Sequence, residues 1–257
     1  MLKPLSLFTM KIKFLSIFLL LSCSNSMTSK KSDLIIDNLK GKVVKLTEIT
    51  YNAIEKFGEP VKGEMTDKSI YEYNESGNKT EWYNYVSNEY NTFEFKEFYE
   101  YDDKGNKVKW SNKGDLSGYG VNKFDKYGNV VELSSYNSDG KLSVRNIYKY
   151  DKDNNMSELS KYVEDGSLNS KYTYKYNSSG ELIEEKGYTS KGDLYFIDKY
   201  YYKNGLLMGY IDINNNVTTN FTYKYLKTDK QGNWLVKIKY KNSVPIEFVE
   251  REIIYYQ

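Results

Sequence analysis

The sequence contains no histidine and a single cysteine, Cys23, among its 257 residues. Without histidine there is no serine–histidine–aspartate triad, no histidine-ligated zinc and no imidazole base near neutral pH. One cysteine permits neither an intrachain disulfide nor a thiolate cluster. Alanine, the strongest helix former, occurs once, at Ala53. These absences argue against helices, against metal-ligating clusters and against the common catalytic constellations.

Tyrosine is abundant, with 28 residues in a chain that has only 3 prolines and 17 glycines. Each buried tyrosine ring removes roughly 150–250 Å² from water, while its hydroxyl requires a partner or solvent. Aromatic residues also favour strands. The composition therefore predicts an all-β protein in which tyrosine supplies most of the apolar material of a thin sheet.

The charge is nearly balanced. Three of the 37 basic residues, Lys3, Lys11 and Lys13, lie in the first 22 residues, and removing them leaves 34 basic against 35 acidic side chains. A near-neutral chain lacks the basic surface that nucleic-acid binding requires. We therefore expect no nucleic-acid partner.

Residues 1–22 have the composition of a signal peptide. A pair of lysines precedes a largely apolar run at residues 14–21, which is shorter than the roughly 20 residues that a membrane-spanning helix needs. Met10 opens a more compact version of this leader than Met1 does, and the sequence leaves both starts open.

The leader ends in Leu20-Leu21-Ser22-Cys23. This pattern resembles the lipobox of bacterial lipoproteins, which implies cleavage before Cys23 and a diacylglycerol on its sulfur. Two or three acyl chains anchor a protein stably, at about 0.8 kcal/mol per buried methylene. The residue after Cys23 is Ser24, whereas some lipoproteins have aspartate there. In this respect the sequence resembles Gram-negative lipoproteins that are sorted to the outer membrane. The alternative is an incidental cysteine in an ordinary secretory signal.

These observations predict three segments. A lipoprotein signal peptide covers residues 1–22, a lipidated flexible tether covers 23–33, and a β-repeat domain covers 34–257. The predicted location is the cell envelope, with the membrane as a partner through the lipid on Cys23. The bacterial outer membrane is the expected site, and the sequence leaves the periplasmic and surface-facing orientations open.

Two turn motifs alternate along the domain. One is an aromatic-x-aromatic triplet followed by Asp or Asn and then, in most copies, by Gly, and it begins at Tyr71, Tyr99, Tyr148 and Tyr174. The other contains a glycine two residues before a leucine, and its glycines are 26 residues apart at Gly114, Gly140, Gly166 and Gly192. Turns of this composition are hairpin turns, because glycine accepts the positive φ that chain reversal needs.

Two turns per 26-residue repeat leave two strands of about nine residues each. Short turns force each strand to pair with its sequence neighbour, which predicts an antiparallel meander of about 14–16 strands. Because neighbouring strands twist by about −20 to −25°, we expect a curled or spiral single sheet with tyrosine rows on its concave side. The edge strands near Lys42 and Tyr256 would then remain open for pairing.

The first motif resembles the YD repeat of RHS-type bacterial surface proteins, and the second is similar to the MORN-variant repeats of small bacterial lipoproteins. The resemblance covers about residues 70–240. Large RHS proteins use such repeats as a shell around a toxin. This chain has too few repeats for a shell, so the resemblance implies an envelope lipoprotein with a repeat domain.

The leading functional hypothesis is a lipid-anchored envelope protein whose repeat sheet is a binding or scaffolding surface for a glycan or a protein. The alternatives are a partner or antitoxin-type component of a toxin system and, third, an envelope hydrolase. A transmembrane β-barrel is a rival architecture. However, the residues that alternate with tyrosine are Lys, Glu, Thr and Ser rather than the Leu and Val of a lipid-facing surface.

A concave aromatic surface with interspersed polar groups suits sugar rings. The candidate ligand-binding residues are Trp82, Trp110, Trp234, Tyr174 and Tyr176. Trp82 and Trp110 occupy the same repeat offset, which also fits a purely structural role.

The acidic residues follow the repeat, and none stands out as a catalytic pair. Glu132 and Glu158 occupy similar positions in a surface ladder, and Glu184 and Glu185 point to opposite faces of one strand. The loop that begins at Asp151 starts like a calcium-binding EF-hand but lacks its glycine and its final glutamate, so it indicates a hairpin turn. We predict no catalytic residue, no metal, no cofactor and no enzymatic activity.

Overall fold

A computed structural model describes residues 32–87, 92–114 and 118–257. The predicted signal peptide, the lipidated Cys23 and most of the tether lie outside these residues. The described part contains one short helix and sixteen strands: α1 (Asp33–Ile36), β1 (Val43–Lys56), β2 (Glu59–Tyr73), β3 (Lys79–Ser87), β4 (Thr92–Tyr101), β5 (Lys107–Gly114), β6 (Gly118–Phe124), β7 (Val130–Asn137), β8 (Leu142–Tyr150), β9 (Met156–Val163), β10 (Leu168–Tyr176), β11 (Leu182–Thr189), β12 (Leu194–Lys203), β13 (Leu206–Asn214), β14 (Val217–Thr228), β15 (Trp234–Lys241) and β16 (Val244–Tyr255). No helix in this part of the chain is long and apolar enough to cross a membrane.

The sixteen strands form a closed antiparallel barrel in which each strand pairs with its sequence neighbour. β1 also pairs with β16, from Val43 opposite Tyr255 to Asn52 opposite Glu247. The prediction of an open, curled or spiral single sheet is therefore wrong. Accumulated twist brings the first strand to the last, and closure removes the two edges that an open sheet would expose. The predicted open edges near Lys42 and Tyr256 pair with each other instead, as Tyr256 N–H donates to the Lys42 carbonyl at 2.9 Å.

The Asp and Asn residues that follow the aromatic triplets hold the hairpin turns at one end of the barrel. Asp102 Oδ1 accepts from the backbone N–H of Lys104 at 3.0 Å and of Asn106 at 2.7 Å. Gly105 takes a φ of +76°, which closes the turn. The loop that begins at Asp151 has the same geometry, because Asp151 Oδ1 accepts from two backbone N–H groups. This loop is therefore a hairpin turn.

The register divides the side chains into two faces, because residues directly opposite each other on neighbouring strands share a face. One face carries the tyrosine rows, and its Tyr200 and Tyr223 are only 6% and 9% exposed. We call it the inner face. The other face, the outer face, carries lysine–glutamate pairs together with aromatic and aliphatic side chains such as Tyr136 and Ile238.

Ion pairs connect neighbouring strands on the outer face. Lys123 Nζ lies 2.7 Å from Glu132 Oε1, and Glu158 pairs with Lys149 at 2.8 Å and with Lys171 at 2.6 Å. The predicted surface ladder of Glu132 and Glu158 is confirmed. Exposed pairs of this kind contribute little stability, and they add charged groups to the outer surface.

Residues 32–42 lie against the inner face at the end of the barrel where β1 begins, which we call the N-terminal mouth. Leu34 and Leu39 pack with Val43, Leu46 and Tyr73 in a buried cluster. At the other end, the distal mouth, the β1–β2 hairpin extends past its neighbours, because β1 pairs with β16 only as far as Asn52.

Candidate functional site in the barrel interior

The five aromatic residues predicted to bind ligand all belong to the inner face, but they do not form one cluster. Trp82 lies on β3, Trp110 on β5 and Trp234 on β15, whereas Tyr174 and Tyr176 lie together on β10. Each makes a different set of contacts. Cys23 lies outside the described residues.

Trp82 is packed into an aromatic and polar layer between β2 and β4. Its ring stacks on Tyr71 with centroids 5.9 Å apart and meets the ring of Phe95 edge-on at 4.9 Å. Its Nε1 donates to Ser69 Oγ at 3.4 Å, and Asn84 donates to the same oxygen at 2.8 Å. These contacts give Trp82 a structural role.

Trp110 lies directly over a glycine of the next strand. A Cβ atom at Gly120 would come within 2.1 Å of Trp110 Nε1, so the indole rests against the backbone of β6. Phe196 occupies the equivalent place over Gly187, where a Cβ atom would lie 2.2 Å from its ring. The missing side chains let each ring lie close to the sheet.

Tyr174 and Tyr176 border the largest apolar cluster of the inner face, whose buried members are Leu182, Tyr200, Leu207, Tyr210 and Tyr223. Burial, followed by the negative charge of Glu185, raises the pKa of Tyr174 well above its ordinary value. The Tyr200 hydroxyl donates to Glu185 Oε2 at 3.1 Å, so phenols and carboxylates meet on this wall. Glu185, Asp198 and Asp212 lie opposite one another on β11, β12 and β13 and give the wall an acidic character.

A second set of charged side chains surrounds Trp234 on the facing surfaces of β1, β15 and β16. We call this set the inner charged cluster; it comprises Glu48, Lys237, Lys239, Glu247 and Arg251. Arg251 Nε donates to Glu48 Oε2 at 2.7 Å, and Lys239 Nζ lies 3.1 Å from Glu247 Oε1. Among the described residues, no group of three or more acidic or cysteine side chains is arranged to hold a metal ion.

Trp234 lies beneath two of these cations. The central guanidinium carbon of Arg251 is 3.5 Å from the centroid of the Trp234 ring, and Lys237 Nζ is 4.3 Å from it. Lys237 Nζ also lies 5.4 Å from the centroid of Tyr223, and Tyr225 meets Trp234 edge-on at 5.9 Å. The site combines cations with aromatic faces, which favours cation–π contacts.

The charges in this cluster shift each other's ionisation. Burial opposes ionisation of Glu48, but the nearby Arg251 and Lys237 outweigh it and hold the pKa of Glu48 below its ordinary value. Burial lowers the pKa of Lys237 to about 8, and Glu48 partly opposes this shift. Lys237 therefore changes its charge near pH 8.

Sequence reasoning missed the inner charged cluster for a physical reason. In β15, Val236, Ile238 and Tyr240 alternate with Lys237 and Lys239, a pattern that places the lysines on the solvent side. The register reverses this expectation, because Val236 lies opposite Glu250 of the outer face and Lys237 lies opposite Val249 of the inner face. The one available signal is the irregular segment before Trp234, where the repeat spacing breaks.

No protein-family pattern matches the sequence, and no curated protein matches it. Among solved structures, a porin-like protein from Bacteroides uniformis matches with a TM-score of 0.57 and 13% identity, covering 84% of this chain and 98% of the other. At this identity the match shows a shared barrel fold.

Chains from two toxin structures also match at low similarity. A Tc holotoxin pore from Photorhabdus luminescens gives a TM-score of 0.29 at 11% identity, covering 73% of this chain and 12% of that one. A TcdB2–TccC3 structure gives 0.29 at 12% identity, covering 79% and 13%. This chain spans about an eighth of those toxin chains, and scores this low carry no argument about its fold or function.

Proposed function

We propose that this protein is a lipid-anchored component of the bacterial cell envelope whose barrel interior binds a glycan. The observation that carries the proposal is the difference in residue composition between the two faces of the barrel wall. The outer face carries lysine–glutamate ion pairs beside separate aromatic and aliphatic side chains, whereas the inner face has rows of aromatic rings next to acids, amides and cations. Rings that stack on sugar faces, beside polar groups that bond hydroxyls, are the chemistry of saccharide recognition.

The size of the barrel supports a ligand inside it. Eight-stranded barrels are filled by their own side chains or hold one small ligand, whereas barrels of 16–18 strands leave an aqueous interior. Sixteen strands surround this interior, and its buried apolar clusters lie along neighbouring strands of the wall. An extended saccharide fits such a space better than a small rigid ligand does.

The proposed anchor limits the distance between the barrel and the membrane. Eight residues separate Cys23 from Ser32, and an extended chain of that length reaches about 30 Å. Ser32 lies beside Gly77 at the N-terminal mouth. Lipidation at Cys23 would therefore keep the N-terminal mouth within about 30 Å of the membrane.

A channel through the membrane is the second candidate, because the matched barrel is described as porin-like. The outer face argues against it. Transmembrane barrels present an apolar band about 25 Å tall to lipid, and a lysine at its midplane costs about 2–4 kcal/mol. Here Glu184 forms ion pairs on the outer face with Lys175, near the end of β10, and with Lys186, halfway along β11.

The proposal is a binding role without catalysis. The carboxylates that the repeat places side by side are engaged in structure, as Glu132 and Glu158 are in their ion pairs with lysine. Acid pairs in glycosidases instead face each other across a bound sugar at roughly 5–9 Å.

A glycan array probed with the lipidated protein in detergent micelles tests the proposal. We expect saturable binding that falls at least about tenfold in Trp234→Ala, which removes the aromatic centre of the inner charged cluster. Tyr136→Ala is the matched control, because Tyr136 stacks on Tyr119 at 4.9 Å on the outer face. Circular dichroism melts verify that both variants fold. Absence of saturable binding to any glycan would overturn the proposal.

A further inference from the structure

Lys237 is a cation on the inner face without an ion-pair partner among the described residues. Arg251 forms an ion pair with Glu48, and Lys239 forms one with Glu247, whereas no carboxylate of the described residues lies within 4 Å of Lys237 Nζ. Its described contacts are the rings of Tyr223 and Trp234, at 5.4 Å and 4.3 Å from their centroids. The ammonium therefore retains its capacity to donate hydrogen bonds to a ligand.

The inner charged cluster carries an uncompensated positive charge. Its three cations, Lys237, Lys239 and Arg251, face two anions, Glu48 and Glu247. A partly buried cation without a counter-ion is costly, and an anion that arrives from the interior offsets that cost. The acidic wall of β11–β13 repels such an anion and so directs it toward β15 and β16.

We infer that the glycan bound by this protein is acidic, and that its carboxylate or sulfate docks on Lys237, with Arg251 and Lys239 alongside. This inference rests on the proposed function and specifies its ligand class. The ring of Trp234 and the ring of Tyr223 flank the docking point, so the sugar that carries the anion meets aromatic surface as well as charge.

The ionisation of Lys237 gives this site a pH dependence. Burial lowers the pKa of Lys237 to about 8, Arg251 and Lys239 add to the shift, and Glu48 and Glu247 oppose it. An anion binds the protonated ammonium and raises its pKa. Affinity for the acidic glycan should therefore be full below pH 8 and fall as the pH rises through 8. The phenols of Tyr223 and Tyr225 stay neutral there, since the pKa of each is raised.

Isothermal titration calorimetry on the lipidated protein in micelles tests the inference with three probes of matched length: an oligogalacturonate, a sulfated galactan oligomer and a neutral galactan oligomer. In the wild type we expect the acidic oligomers to bind at least about tenfold more tightly than the neutral one, the strength of a charge-assisted hydrogen bond. Lys237→Met should abolish that preference.

Two further variants make the result specific. Lys224→Met is the matched control, because Lys224 lies opposite Ile238 on the outer face next to the site. Lys237→Arg keeps a cation that does not titrate, so it should retain the preference for acidic oligomers and lose the decline near pH 8.

The outcomes separate the two proposals. Equal affinity for neutral and acidic oligomers, or a Lys237→Met variant that keeps the preference, overturns the inference and leaves the glycan-binding role intact. Failure of every glycan to bind overturns both.

Discussion

Arg251 on the last strand donates a 2.7 Å hydrogen bond from Nε to Glu48 Oε2 on the first strand, at the seam where the barrel closes. The two side chains are only 13% and 24% exposed. Backbone hydrogen bonds also join β1 and β16 along the seam. The Arg251–Glu48 contact adds a charged side-chain pair between residues 203 positions apart in the sequence. Its loss should loosen the closure itself.

Arg251→Met should lower the free energy of unfolding by about 2–3 kcal/mol, because it leaves Glu48 partly buried without its counter-ion. Urea unfolding followed by tryptophan fluorescence measures this change. The double variant Glu48→Gln with Arg251→Met should recover part of the loss, since it removes both charges. Additive losses in the double variant would contradict the assignment of the cost to an unpaired carboxylate.

Asp33 fastens the N-terminal segment to the barrel. Its Oδ2 accepts from the Lys79 backbone N–H at 2.8 Å and from the Tyr101 hydroxyl at 2.7 Å, and Lys107 Nζ lies 3.4 Å from Oδ1. Burial opposes ionisation, but Lys107 and these hydrogen bonds outweigh it and hold the pKa of Asp33 below 3.8. A lowered folded-state pKa means that this stabilisation is present above pH 3.8 and is lost as the pH falls further.

Asp33→Asn should therefore free residues 32–42 at neutral pH. We expect the amide of Asp37 to exchange at least about tenfold faster in the variant, as measured by hydrogen–deuterium exchange. After correction for intrinsic exchange, the difference between variant and wild type should shrink as the pH falls below 3.8. Asp139→Asn, at an exposed turn, is the control and should change neither. Unchanged exchange at Asp37 in Asp33→Asn would show that Leu34 and Leu39 hold the segment without the carboxylate.

The local structure of this protein could be predicted from its sequence because each turn carries its own chemistry. An Asp or Asn at the start of most of the longer turns and a residue that tolerates positive φ near the end determine the hairpin within five residues. The assignment of Glu184 and Glu185 to opposite faces is also confirmed: Glu184 pairs with Lys175 outside, and Glu185 accepts from Tyr200 inside. Both features depend on nearest neighbours alone.

Closure and the inner charged cluster could not be predicted in this way. Whether β1 meets β16 depends on twist summed over sixteen strands, and no residue in either strand encodes that sum. The inward position of the β15 lysines could not be predicted, because the alternation of apolar and polar residues distinguishes the two faces of a strand but does not show which face lies inside the barrel. Register relative to β14 and β16 decides that Lys237 faces inward, and register is a property of the assembled sheet.

The contact between Trp110 and Gly120 gives a test of the inner wall away from the charged cluster. Gly120→Ala places a methyl group within 2.1 Å of Trp110 Nε1, so the indole must move. We expect a loss of about 1–3 kcal/mol of stability together with a shift in tryptophan emission. In a Trp110→Ala background the same glycine substitution should cost almost nothing. A similar cost in both backgrounds would mean that the backbone of β6, and not the ring, opposes the methyl group.

The anchoring proposal predicts where a variant without the lipidation site is found. Cys23→Ala, expressed in the native host, should leave the membrane fraction and appear in the soluble envelope fraction, because no acyl chain is attached and the outer face carries lysine–glutamate ion pairs. Cell fractionation followed by immunoblotting measures this. Ser24→Ala is the control and should remain in the membrane fraction. A Cys23→Ala protein that resists extraction from membranes with alkaline carbonate would instead favour the channel.

At the tip of the β1–β2 hairpin, Phe57 has a left-handed backbone conformation that phenylalanine disfavours. Phe57 has a φ of +55° and its neighbour Gly58 a φ of +81°, the pattern of a type I′ turn. The Phe57 side chain is fully exposed, so no packing offsets the cost of a left-handed phenylalanine. Asparagine tolerates this region far better than phenylalanine does. Phe57→Asn should therefore raise the free energy of unfolding by about 0.5–1 kcal/mol in a urea titration. Lys56→Asn, one residue earlier in the strand, should give no gain. A Phe57→Asn variant that is less stable than the wild type would mean that the exposed ring makes a stabilising contact in solution.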